Sequence, residues 1–86
     1  MMYGRTITFT LLAPSIWSIV EALATTIEKN DIKRYLYKSS DNSGFIIELF
    51  DNKNDAGRNI ETLKAMQSLK EQTMAKVIVQ EGDIVS

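Results

Sequence analysis

The chain of 86 residues is 44% hydrophobic and 24% charged, with a formal net charge of −1, an ordinary globular composition. At this length it is expected to fold as a single domain over residues 1–86, burying only about 60 to 65% of its unfolded surface. The near-zero charge gives no long-range pull toward phosphate backbones or anionic lipid. The absence of Cys and His removes disulfides, thiolate and imidazole metal ligands, and His-dependent nucleophiles.

From Tyr3 to Leu11 the residues alternate, with Tyr3, Arg5, Ile7, Phe9 and Leu11 on one face and Gly4, Thr6, Thr8 and Thr10 on the other. This period of two predicts a strand with one buried face. Pro14 ends it, and either Ser15 caps the following helix or Pro14 occupies its first position. Ile16, Ile19, Val20, Leu23, Ala24 and Ile27 form a helical stripe that Asn30-Asp31 closes, with Trp17 at its edge as a packing residue.

Residues 7–26, "ITFTLLAPSIWSIVEALATT", also have the outline of a signal peptide, with Arg5 before an apolar stretch and Ala22-Leu23-Ala24 at its end. Thr8, Thr10, Pro14, Ser15, Ser18 and Glu21 interrupt the apolar stretch, so it is better explained as strand and helix. A cytoplasmic location is expected.

"IKRYLYK" (Ile32 to Lys38) and "GFIIELFD" (Gly44 to Asp51) flank the turn cluster "SSDNSG" and predict a hairpin with a loop of about six residues. "NKNDAGRN" (Asn52 to Asn59) reads as a loop, with Asp55 or Asn59 capping the helix "IETLKAMQSLKEQT". Its apolar residues recur every three positions, which predicts a helix less deeply buried than the first. "AKVIVQ" (Ala75 to Gln80) is a last strand, and residues 81–86 a short tail.

The order β-α-β-β-α-β predicts an α+β, ferredoxin-like sandwich: a four-stranded antiparallel sheet in the order 4-1-3-2, with two helices on one face. Assigning Ile7, Phe9, Leu11, Ile32, Leu36, Phe45, Ile47, Leu49, Val77 and Val79 to the helix side leaves a second set facing away. That set contains Tyr35, Tyr37, Ile46, Phe50 and Ile78, a candidate interface for a second copy or another protein, alongside Thr6, Thr8, Thr10, Glu48 and Gln80.

Sharper motifs find less support. The Asp- and Asn-rich loop matches a calcium loop at Asp51 and Asp55, but Lys53, Ala56 and Thr62 break the pattern. Gly57, Arg58 and Asn59 before a helix are a minimal phosphate signal. Ser39, Ser40 and Asp41 form a polar cluster, and Tyr3 and Arg5 are within reach of loops, yet no acid–base pair is identifiable.

"SGFIIELF" resembles the third strand of RNA-recognition motifs at Gly44, Phe45 and Phe50, and departs from it at Ser43 and Ile47. That resemblance implies a single-stranded nucleic-acid binder. The element order is also similar to ACT-type domains, which implies a small-ligand regulatory module, although Ala13-Pro14-Ser15 stands where those domains carry Gly. The leading expectation is a non-enzymatic protein acting by association, with itself or another protein as partner. It involves no cofactor, metal or membrane, and nucleic acid is not an expected partner.

Overall fold

The computed structural model describes residues 2–26 and 33–86. Strand β1 (Tyr3–Thr10) leads through a 3-10 turn (Pro14–Ile16) into helix α1 (Trp17–Thr26); β2 (Lys33–Ser40) and β3 (Ser43–Phe50) follow. Then come α2 (Lys53–Arg58), α3 (Glu61–Thr73) and β4 (Lys76–Asp83). The four strands form one antiparallel sheet in the order β2-β3-β1-β4, which is the expected order read from its other edge. The expectations at Ile27, Asn30-Asp31 and Ile32 lie outside the described residues.

Several boundaries differ from the sequence reading, each for a local reason. At the helix entry the second of the two expectations holds: a 3-10 turn opens on Pro14, where a missing N–H costs nothing, and Ala13 rather than Ser15 is its N-cap. The hairpin loop shrinks to Asp41 and Asn42, because the serines on either side pair across the strands, Ser40 opposite Ser43 with hydroxyls 2.6 Å apart. Asn42 also ties the turn to the end of β1, its backbone O accepting from Leu11 N at 2.6 Å and its Nδ2 donating to Leu11 O at 3.2 Å.

The Asp- and Asn-rich loop holds the additional short helix α2. Asn52, rather than Asp55 or Asn59, is the side-chain cap, its Oδ1 accepting from Asp55 N at 2.9 Å. Helix α3 begins after Ile60 with no side-chain cap. Strand β4 continues to Asp83, and Ile84 N donates to Met2 O at 2.8 Å, so pairing runs well into the expected tail.

All three helices pack on one face of the sheet. Ile7, Phe9, Leu11 and Ile46 meet Trp17 and Val20 of α1 and Met66 and Leu69 of α3, while Tyr3 and Phe50 meet Ala56 of α2. Trp17 lies edge-on to Phe9, ring centroids 5.4 Å apart at 66°, and over Gly44. A Cβ at position 44 would collide first with the Tyr37 backbone oxygen and would sit 2.7 Å from Trp17 Cη2 and 3.0 Å from Phe9 Cζ, so glycine makes room for both the neighbouring strand and the indole.

The faces of β3 are the reverse of those expected. Ile46 and Phe50, proposed for the interface, are 2% and 1% exposed in the core, and Glu48 is buried beside them. Phe45, Ile47 and Leu49 take the open face instead, half-buried. Assigning Phe45, Ile47 and Leu49 to the helix side turns Glu48 outward, and in a strand a one-residue change of parity moves every side chain to the other face. Tyr35, Tyr37 and Ile78 do lie exposed on the open face.

Candidate active site

Register places one charged residue from each strand in a single row across the buried face: Arg34 of β2, Glu48 of β3, Arg5 of β1 and Glu81 of β4. The signs alternate along it. Arg34 Nε meets Glu48 Oε2 at 3.2 Å, Glu48 Oε1 meets Arg5 Nη1 at 3.0 Å, and Arg5 Nε meets Glu81 Oε2 at 2.8 Å.

Arg5, 2% exposed, is the hub. Besides both carboxylates it donates to two carbonyls at the end of α2, Asn59 O at 2.8 Å from Nη1 and Ala56 O at 2.7 Å from Nη2. Its guanidinium also lies 4.9 Å from the centroid of Phe50. Asn59 is held in turn by its Nδ2 bond to Asp55 O at 2.7 Å, and Asp55 pairs with Arg58. The Asp- and Asn-rich loop, which matches calcium and phosphate patterns only in part, thus supplies a cap and the acceptors for Arg5.

Glu81 is the exposed end of this row, with 31% of its side chain open to solvent. Its second oxygen accepts from Tyr3 Oη at 3.2 Å. Burial, then the Glu81 hydrogen bond and carboxylate charge, raise the Tyr3 pKa above the ordinary value near 10.0, so the phenol stays protonated and remains a donor. Two donors hold the Glu81 carboxylate in one orientation.

One strand step before Glu81, on the same face, an apolar groove opens between α3 and β4. It has a volume of about 340 Å³ and is lined by Ile60, Leu63 and Met66, by Val77 and Val79, and by Lys64 and Gln67. The groove exists because β4 is an edge strand that α3 only partly covers; Val79 is still 43% exposed. Ile60 follows Asn59, an acceptor of Arg5, so the groove and the charged row share both a strand and a loop. The size falls at the lower end of small-molecule sites.

Of the residues singled out from sequence, Tyr3 and Arg5 are brought together here, whereas Ser39 and Ser40 end β2 and Asp41 lies in the hairpin turn, away from them. Glu48, Glu81 and the groove were missed. Among the described residues no helix is long and apolar enough to cross a membrane.

The sequence matches no protein family and no curated protein. Solved structures do share its architecture over the whole chain. A Caulobacter crescentus CB15 protein provisionally assigned as an antibiotic biosynthesis monooxygenase superimposes with a TM-score of 0.72 at 12% identity, covering 99% of this chain and 91% of its own. SnoaB, a cofactor-independent oxygenase from Streptomyces nogalater, gives 0.65 at 14% identity, with 99% and 94% covered. The de novo designed protein Foldit4 gives 0.72 at 11%, with 99% and 100% covered.

At such identities the likeness establishes the ferredoxin-like α+β architecture, and activity has to be argued from the site. It nevertheless overturns the expectation of a non-enzymatic protein acting by association, together with the ACT-like and nucleic-acid alternatives. That expectation rested on a compact domain without catalytic groups, and an oxygenase uses this same architecture from end to end.

Proposed function

We propose that the chain is a small-molecule enzyme of the oxygenase kind, binding an apolar substrate in the groove between α3 and β4 and ionising it at Glu81. The observation that supports this reading is the continuity of groove and carboxylate: Val79 lines the groove, and Glu81 follows it on the same strand face, fixed by Arg5 and Tyr3. Buried ion pairs seldom add net stability over apolar packing, so a row of four charges beside a cleft favours a functional role. Arg5 and Tyr3 act as positioning residues. Glu81 takes a C–H proton from a substrate CH2 group, and the resulting carbanion reduces dioxygen directly, without a resident cofactor. A C–O bond forms, the peroxide takes the proton back from Glu81, and loss of water with the carbon's second hydrogen leaves a carbonyl.

Oxygen-electrode measurements with hydroxylated fused-ring aromatics that carry a CH2 group test this. Wild-type protein is expected to consume dioxygen, and Glu81→Gln to slow it by about 10²-fold or more while remaining folded. Equal rates in both proteins, or no consumption with any such compound, would refute the reading.

A second copy of the chain as partner, meeting Tyr35, Tyr37 and Ile78 on the open face, belongs to the same proposal as the assembly state of the enzyme. Row by row across the sheet, Tyr37, Phe45, Thr8 and Ile78 lie side by side, and Tyr37 stacks on Phe45 at 4.6 Å. This continuous strip is favoured as a contact surface. The cysteine-free chain is compatible with action in the cytoplasm, which the proposal includes.

A further inference from the structure

We infer that the groove selects organic anions: a flat apolar body lies between α3 and β4, and a carboxylate or phenolate on it pairs with Lys64. The inference rests on the groove reading above and names the ligand class for that site. Among the described residues seven line the groove, and Lys64 is the single charged one of these. It is an exposed residue of α3, and its ammonium forms no ion pair with the described residues.

The acids around it leave that charge available. Glu81, across on β4, is engaged by Arg5 and Tyr3, while Glu61, one turn back on the helix, has an interaction of its own. Gln67, the other polar lining residue, donates its Nε2 to Glu71 Oε1 at 3.3 Å and leaves its amide oxygen as an acceptor. A neutral hydrocarbon would satisfy the walls and leave the ammonium to water, and an organic cation would be repelled by it. Only an anion uses both the apolar walls and the rim.

Calorimetric titration with naphthoate and its uncharged isostere naphthamide decides the point, using wild type, Lys64→Gln, Lys64→Arg and a groove-filling Leu63→Trp. Wild type and Lys64→Arg are expected to bind naphthoate about tenfold tighter than naphthamide, Lys64→Gln to bind the two alike, and Leu63→Trp to bind neither. Equal affinity of wild type for the two probes, with Leu63→Trp blocking both, overturns the anion inference and leaves the groove reading intact. A preference that survives Lys64→Gln also overturns it. No binding to wild type, or binding that Leu63→Trp does not affect, overturns the groove reading as well.

Discussion

Arg5 and Glu48 face each other across β1 and β3 with 3.0 Å between Nη1 and Oε1, and each side chain is only 1% exposed. A pair so fully removed from water has no solvent to fall back on when one member is lost. Arg5→Met, which keeps the bulk of the stem, is expected to cost about 3–5 kcal/mol, because Glu48 then remains buried with Arg34 as its one cation. Arg5→Lys should recover only part of that loss, since an ammonium cannot reach two carboxylates and two carbonyls in one plane. Urea denaturation provides the measurement, and a loss below about 1 kcal/mol for Arg5→Met would place the pair with weak surface bridges instead.

Tyr3 makes alkaline pH a second probe of the same row. Its pKa is raised in the folded protein, chiefly by burial and then by Glu81, so the unfolded chain releases this proton first as pH rises. The stabilisation is therefore complete below the ordinary tyrosine value near 10.0 and declines above it. Ultraviolet titration should show one tyrosine ionising above the ordinary value near 10.0, and Tyr3→Phe should remove that late step. The loss of stability with alkali should also be shallower in Tyr3→Phe, and an unchanged slope would contradict the assignment.

On the open face, Ile78→Asp and Tyr35→Asp introduce charges at positions 47% and 48% exposed in the single chain. Light scattering should find wild type as a dimer and both variants shifted toward monomer, with melting temperatures close to wild type. Phe50→Asp behaves differently. It puts a carboxylate in the core under Arg5 and Ala56 and is expected to unfold the chain rather than separate copies. A monomeric wild type at high concentration would rule out the self-contact.

Much of the fold is legible in the sequence because two simple periods carry it. The alternation from Tyr3 to Leu11 and the stripe through Ile16 and Val20 depend on local geometry alone, and the topology follows from the element order. The parity of β3 is not legible within the strand itself, because Phe45, Ile47 and Leu49 are as apolar as Ile46 and Phe50. The corrective signal was in β1: its alternation already turned Arg5 inward, and an inward cation in a small core requires inward acids from neighbouring strands. Glu48 could supply one from the middle of β3, whereas Glu81 lay in the stretch expected to be a tail. Helix α2 had no such signal, since only Ala56 of its six residues is buried. The groove is a product of tertiary packing, set by how α3 lies against an edge strand, and no spacing in the sequence encodes it.

The partners of Arg5 lie 43, 51, 54 and 76 residues further along the chain. A segment containing only the first strand, helix and hairpin could satisfy one of its bonds, and the guanidinium would be caught between a forming core and retreating water. Its charge is fully compensated only after α2 has closed over it and the last strand has docked. Partial structures are therefore penalised in proportion to how much of Arg5 they bury, and the chain gains little by folding in pieces. The row of charges makes the ends of the chain depend on one another, so folding is expected to be all-or-none and, with contacts this distant, slow for so small a protein.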